Sequence, residues 1–323
     1  MKNIVLIGAG QLGSRHLQAL ASCEHQLDIQ VMDPSQDSLN IAESRFNEVA
    51  SAFKGRIAFL GSVDQLHKKI DVAIVATNSK VRRLVVEQLV KHAKVENFVL
   101  EKFLFPNLED YDVVAKLLEQ HQIKTWVNCP RRMMPFYKAI KSELTGPVQF
   151  NVTGNSWGLG CNGIHMLDLF SYLTDRTDFE LDHLLIDPEI MESKRVGYVE
   201  FTGTIRAVAG NNFASITSYS KEISPVSVLI QTPTARYSIQ EGAETKIWIS
   251  KLEHKWAWEE QTHKMLFQSQ LTNKVVDALL SNGNCELTTF SESAQLHKLF
   301  LKNLLEFVRK QKKDQSINEC LIT

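Results

Sequence analysis

Short unbroken apolar runs alternate with stretches of helical spacing through about the first 125 residues. "KNIVLIG", "DIQVMD", "RIAFLG", "DVAIVATN" and "NFVLEK" each predict a strand. "SRHLQALAS", "PSQDSLNIAESRFNEVAS", "SKVRRLVVEQLVKHAK" and "NLEDYDVVAKLLEQHQ" between and after them predict helices, the second with Pro34 near its start. Strands without polar alternation are buried on both faces. Alternating with helices, they imply a parallel sheet covered on both sides.

After "KTWVNCPRR" the rhythm changes. "MMPFYKAIKSEL" predicts a helix and "VQFNVTG" a strand. "NSWGLGCNGIHMLDLFSYL" predicts a glycine-rich loop running into an apolar helix that opens near His165. Successive strands then follow in "VGYVEFTGTIRAVAG", "NFASITSYS", "VSVLIQT", "ARYSIQ" and "TKIWIS", separated by turn residues such as Gly210-Asn211 and Glu241-Gly242. Helical spacing returns in "QSQLTNKVVDALLSNG" and "SESAQLHKLFLKNLLEFVRK". The expected organisation is a doubly wound parallel α/β domain over residues 1–125. An α+β domain with a large, mainly antiparallel open sheet is expected over residues 126–323.

Composition narrows the function classes. The 323 residues are 44% hydrophobic and 23% charged, enough to bury a sizeable core. The formal net charge of −1 gives no electrostatic reason to expect nucleic acid or an anionic membrane as partner. No apolar run approaches membrane-spanning length. The first one ends at Ile7 and meets glycines and polar residues, too short for a signal peptide. The five cysteines (23, 129, 161, 285 and 320) form no Cys-x-x-Cys pair, which argues against a disulfide framework or structural zinc and fits a reducing cytoplasm. The histidines show no metal-ligand spacing, so no metal is expected.

The first strand runs into "GAGQLG", which sets Gly8, Gly10 and Gly13 in G-x-G-x-x-G spacing ahead of a helix. Such glycines permit a tight turn, close approach of backbone to a pyrophosphate, and close helix–strand packing, with the helix N-terminus favouring the anion. Asp33 ends the next strand, where a carboxylate accepts hydrogen bonds from a ribose 2′-hydroxyl. No Arg or Lys follows Asp33 until Arg45, leaving a 2′-phosphate without an obvious partner. The expected cofactor is therefore NAD, with NADP disfavoured.

With "GAGQLGSRH" and "LEKFLFP" both present, the chain resembles the glucose–fructose oxidoreductase/inositol dehydrogenase (Gfo/Idh/MocA) family. The family's G-x-G-x-x-G-x-x-H matches Gly8 through His16, and its Glu-Lys-Pro matches Glu101-Lys102 with Phe103 in place of Pro. Its R-x-x-P matches Arg132 to Pro135, and its D-x-G-x-H-x-x-D matches at Gly163, His165 and Asp168. The resemblance extends to "CELTTFSESAQLHKLFLKNLLEF" near the C-terminus. It implies a Rossmann domain binding NAD through Gly8, Gly10, Gln11, Leu12, Gly13, Asp33, Thr77, Asn78 and Glu101. It also implies a sheet domain that supplies the substrate site and often a homo-oligomer interface. Besides Phe103, the chain departs at Asn78, where a proline is often found, at Arg82, where the family has histidine, and at Cys161, where it usually has an acid.

Lys102, at the carboxyl end of a parallel strand, sits where open α/β sheets bind ligands, and its ammonium suits a substrate hydroxyl or carbonyl oxygen. His165 suits the proton transfer that accompanies hydride transfer, because imidazole titrates near neutrality. Arg131 and Arg132 suit a carboxylate, phosphate or nucleotide-sugar diphosphate, though salt bridges to acidic neighbours would explain them equally. Trp157 and Asn162 on the glycine-rich loop suit a sugar ring and its hydroxyls. Asp168 suits orientation of a histidine or of neighbouring backbone. Cys161, a neutral thiol with no basic neighbour in sequence, suits a substrate contact better than nucleophilic catalysis. Together these predict an NAD-dependent oxidoreductase acting on a CH–OH group of a sugar, sugar acid or nucleotide-linked sugar. The resemblance adds the biosynthesis of surface-polysaccharide sugars as an expected setting. The alternatives are an NAD-retaining glycosidase or epimerase, and a dinucleotide-binding sensor or scaffold without turnover.

Overall fold

The computed structural model describes residues 1–322, and the chain divides into two units. The first contains Met1–Phe105, Glu109–Asn128 and Leu266–Ser291. Its first half alternates as the apolar runs predict: β1 (Lys2–Ile7), α1 (Gln11–Leu20), β2 (Leu27–Met32), α2 (Gln36–Asn47), β3 (Arg56–Leu60), β4 (Lys69–Val75), α3 (Ser79–His92), β5 (Lys94–Leu100) and α4 (Leu108–Gln120), with a further strand, β6 (Lys124–Val127), inside "KTWVNCPRR". These strands pair in parallel in the order β6-β5-β4-β1-β2-β3. The order reverses between β1 and β4, the kind of switch point at which such sheets bind ligands. Ile4 to Ile7 and Val72 to Val75 are buried, as central strands covered on both faces require. Local signals fix the helix starts: Ser35 caps α2 through a bond from Ser38 N, and Asn78 caps α3 through a bond from Val81 N.

The second unit contains Pro106–Leu108, Cys129–Met265 and the chain from Glu292 onward. It begins with α5 (Pro135–Glu143), β7 (Gln149–Thr153) and α6 (Leu159–Thr174). The strands that follow are β8 (Glu180–Ile186), the two-residue β9 (Met191–Glu192) and β10 (Val199–Glu200), β11 (Gly203–Ala209), β12 (Asn212–Ser218), β13 (Ser227–Gln231), β14 (Ala235–Gln240), β15 (Glu244–Lys251) and β16 (Trp258–Lys264). Eight strands, β7 among them, form one sheet in the order β16-β15-β14-β13-β7-β12-β11-β8, antiparallel except where β7 meets β12. One face is apolar: Phe150, Val152, Ile216, Val228, Ile230, Tyr237 and Ile239 are all fully buried, and Phe150 stacks on Phe170 of α6. β16, "WEEQTHK", has no apolar alternation to announce it. It is an exposed, charged edge strand, the composition that blunts unwanted pairing.

The chain then returns to the first unit through α7 (Thr272–Asn282) and β17 (Thr288–Thr289), before the long α8 (Phe290–Lys312). This corrects the expected boundary at residue 126. The last strand residues of β6 and the whole of Leu266–Ser291 belong with the parallel sheet. β17 adds an antiparallel edge to β6, and α7 buries Val275, Val276 and Leu279. The reason is long-range pairing, which periodicity within a segment does not encode. None of the helices among the described residues is long and apolar enough to cross a membrane.

Candidate active-site residues

The phosphate loop lies between β1 and α1. Gly8 has φ +95°, and a Cβ there would meet the backbone of Ala76 at 2.9 Å. A Cβ on Gly13 would lie 1.8 Å from the Gly8 carbonyl oxygen, so the close packing of α1 on the loop demands glycine. Gly10 is different. Its φ is −64° and a Cβ would meet nothing within 4 Å, so neither backbone conformation nor any protein neighbour requires a glycine there. Open space above that backbone, at a helix N-terminus with no side-chain cap and no acid in its first turn, fits a pyrophosphate. Gln11 and Leu12, in that first turn, are exposed.

Asp33 closes this cradle from the end of β2. Its Oδ2 accepts from Ala9 N at 2.7 Å and its Oδ1 from Ser35 N at 2.9 Å. One backbone bond per oxygen fixes the carboxylate and leaves each oxygen acceptor capacity for a ribose hydroxyl. Arg45, remote in sequence, is brought close by the packing of α2 on α1. It donates to Ser14 Oγ at 2.6 Å and to Gln11 Oε1 at 2.8 Å. The spacing that set it apart from Asp33 therefore does not keep it from the phosphate loop.

The ends of β4 and β5 are stitched together by Arg82. Fully buried, it donates to the carbonyl oxygens of Thr77, Phe103 and Leu104, the last at 2.8 Å. The Thr77 hydroxyl is buried and has no hydrogen-bond partner among the described residues, a polar atom left over at the ligand edge of the sheet. Asn78 is the α3 cap described above. Glu101, 3% exposed, accepts from Asn128 and lies 2.9 Å from His16 Nε2. Burial raises its carboxyl pKa, but the bond to His16 and that residue's charge, with help from Asn128 and Lys102, outweigh burial and hold it below the ordinary glutamate range. Lys102 follows directly, and the Lys102–Phe103 peptide bond is cis.

In the second unit the glycine-rich stretch is helix, not loop. α6 begins at Leu159 after Gly158, whose φ is +84°. Its first turn is satisfied by Glu200, which accepts from Gly160 N and from Cys161 N, the latter at 3.2 Å. Gly160 and Gly163 are packing glycines: added Cβ atoms would lie 2.8 Å from Glu200 Oε1 and 2.8 Å from the Phe300 ring. His165 thus stands in the second turn of α6, half-buried, rather than at its start. Asn162 donates to the Trp157 carbonyl at 2.7 Å, and Trp157 Nε1 donates to the Thr217 carbonyl at 2.8 Å. A carboxylate does stand at the Cys161 backbone, but it is that of Glu200, acting as the helix cap.

Both arginines are engaged by carboxylates. Arg132 makes a two-pronged pair with Asp168, Nε to Oδ2 at 3.0 Å and Nη2 to Oδ1 at 2.8 Å, with Asp168 1% exposed. Arg131 pairs the same way with Glu241, which also accepts from Tyr137 Oη at 2.8 Å. Burial lowers both guanidinium pKa values, but the paired carboxylates more than offset it, so both stay charged. Asp168 orients Arg132, which also lies over the Tyr172 ring at 5.3 Å.

Residues 2–129 match the family described as "Oxidoreductase family, NAD-binding Rossmann fold" (Gfo/Idh/MocA). The match covers the alternating strands and helices from β1 to β6. The likeness in fold runs the length of the chain. An oxidoreductase from Agrobacterium radiobacter in complex with NAD+, L-tartaric acid and magnesium is 14% identical, with TM-score 0.72 over 96% of this chain and 97% of that one. A 3-ketoreductase from Actinomadura kijaniata in complex with NADP is 12% identical, with TM-score 0.68 over 93% and 95%. The super-repressor mutant of Gal80p from Saccharomyces cerevisiae is 13% identical, with TM-score 0.71 over 96% and 97%. No curated protein matches the sequence.

The contacts of five residues, four in the first unit and Glu200 in the second, had no local signature. Arg82, Asn128, Glu200, Gln268 and Thr272 each act on a partner at least 21 residues away, the shortest such separation being Arg82 to Phe103.

Proposed function

We propose that the protein is an NAD-dependent oxidoreductase that interconverts a secondary alcohol and a ketone on a sugar, sugar acid or nucleotide-linked sugar. The observation that carries the reading is Gly10: a glycine that neither its φ nor any neighbour requires, at the open N-terminus of α1, with Asp33 fixed beside it. When bound there, the nicotinamide supplies the hydride acceptor or donor. Gly8, Gly10, Gln11, Leu12 and Gly13 would hold the pyrophosphate, and Asp33 the adenosine ribose. Thr77, whose buried hydroxyl has no hydrogen-bond partner among the described residues, and Asn78 would line the cofactor further along the sheet edge. Glu101 would support it from behind. Asp33 favours NAD, because a carboxylate accepts from a 2′-hydroxyl and repels a 2′-phosphate.

Lys102 would donate a hydrogen bond to the reacting oxygen and stabilise charge on it. His165 would take the hydroxyl proton during oxidation and return it during reduction. Arg131, Arg132, Trp157, Cys161, Asn162 and Asp168 would shape the substrate side, the arginines through their partners as much as directly. The second face of the eight-stranded sheet, with Asn151, Ser215, Leu229, Trp248 and the exposed Trp258, would carry a homo-oligomer contact. Cysteines that form no disulfide among the described residues favour a cytoplasmic setting.

The test is absorbance at the reduced-nicotinamide band with NAD+ and a panel of sugars. Net turnover is expected. Lys102→Ala and His165→Ala should each lower it by roughly 10²–10⁴-fold. A rival reading, binding without turnover, draws on the likeness in fold to the repressor Gal80p. It is preferred if NAD+ binds and no member of the panel reacts. Retained NAD with hydrolysis or epimerisation of a sugar would favour the glycosidase or epimerase alternative.

A further inference from the structure

Five side chains of the first unit close a ring of hydrogen bonds, of which only Glu101 has a role in the reading above. His16, on α1, is fully buried, with Nε2 2.9 Å from Glu101 Oε1 and Nδ1 2.8 Å from Thr272 Oγ1. Asn128 Nδ2 donates both to that Glu101 oxygen and to Gln268 Oε1, the second at 2.8 Å. Gln268 Nε2 donates to Thr272 Oγ1 at 2.9 Å and completes the circuit. The members come from separate places: α1, the residue after β5, the residue after β6, the turn before α7, and the first residue of α7.

Such a ring is an expensive way to join helices to a sheet. Burying a carboxylate and an imidazole costs free energy that their partners must offset, and apolar residues of similar volume often stabilise as well or better. Packing alone therefore does not explain it. Its position does. Glu101 is joined by one peptide bond to Lys102, and His16 belongs to the helix whose N-terminus is the candidate phosphate cradle. On the far side of Lys102, Arg82 holds the carbonyls of Phe103 and Leu104. Lys102 is thus bracketed, by the ring before it and by Arg82 after it.

We propose that this ring is a positioning device. It fixes the backbone at Lys102 relative to α1, so that a dinucleotide seated on α1 and the ammonium of Lys102 keep one geometry. His16, Thr272, Asn128 and Gln268 are positioning residues, acting through Glu101. The proposal rests on the reading of Lys102 given above, and its test separates the two.

Glu101→Gln, His16→Gln and Thr272→Val each break the ring with little change in volume. Hydrogen–deuterium exchange followed on the peptide spanning Leu100–Phe105 needs no substrate. The expected result is exchange faster by about tenfold or more there, with β1 and α6 peptides unchanged, as for a local opening. In turnover, each variant should lower kcat by roughly 10–100-fold at unchanged KM, in keeping with the cost of a misplaced group. The same substitutions should add nothing in a Lys102→Ala background, because neighbours acting through one group are not additive. Unaltered exchange at this segment in all three variants overturns the proposal, and so do kcat losses that add fully to that of Lys102→Ala. If Lys102→Ala leaves turnover intact while the ring variants accelerate exchange, the catalytic role of Lys102 falls and the ring still stands as the anchor of this segment.

Discussion

Two glycine-rich stretches of this chain look alike on paper and differ in cause. In "GAGQLG" the first and third glycines are demanded by the protein itself, but Gly10 is not: a Cβ there meets nothing within 4 Å. In "GLGCNG" every glycine answers to the protein. Gly158 has φ +84°, and Cβ atoms on Gly160 and Gly163 would collide with Glu200 and Phe300. The first stretch keeps room for a ligand, whereas the second brings α6 close to its neighbours. A glycine that its own fold does not need is the better pointer to a binding site.

That contrast can be broken by substitution. The largest stability effect belongs to the charge pair that anchors α6. Arg132→Ala should cost about 3–5 kcal/mol in denaturant unfolding, because Asp168, 1% exposed, is left as a buried unpaired carboxylate. A loss under about 1 kcal/mol would place the pair with weak surface bridges. Gly163→Ala comes next. Its Cβ would press on the Phe300 ring at 2.8 Å, and the expected overpacking cost is about 1–3 kcal/mol. Stabilisation by Gly163→Ala would return "GLGCNG" to the class of unconstrained helix glycines. Smallest is Gly10→Thr. Threonine caps a helix about as well as glycine, so stability should move by no more than about 0.5 kcal/mol.

The parallel sheet is legible in the sequence because its strands are buried on both faces and leave unbroken apolar runs. The phosphate loop is legible because turn, helix start and acid fall within 26 residues, from Gly8 to Asp33. The start of α6 is not, because the residue that caps it, Glu200, lies about 40 residues away and gives no local sign. β16 escapes pattern reading because a charged edge strand has no apolar face. The return of Leu266–Ser291 to the parallel sheet, the reach of Arg45 to Gln11, and the ring around Glu101 all depend on partners far apart in sequence. Lys102 and His165 are marked by resemblance and strand position, and the resemblance does not reveal what holds them.

The central claim is that the space over Gly10 belongs to a dinucleotide. Calorimetric titration of NAD+ into the unaltered protein and into Gly10→Thr, with thermal unfolding of both, tests it most directly. The account predicts NAD+ binding by the unaltered protein, loss of about tenfold or more in affinity for Gly10→Thr, equivalent to roughly 1.4 kcal/mol, and superimposable unfolding curves. Absence of NAD+ binding by the unaltered protein, or equal affinity in both, would contradict it.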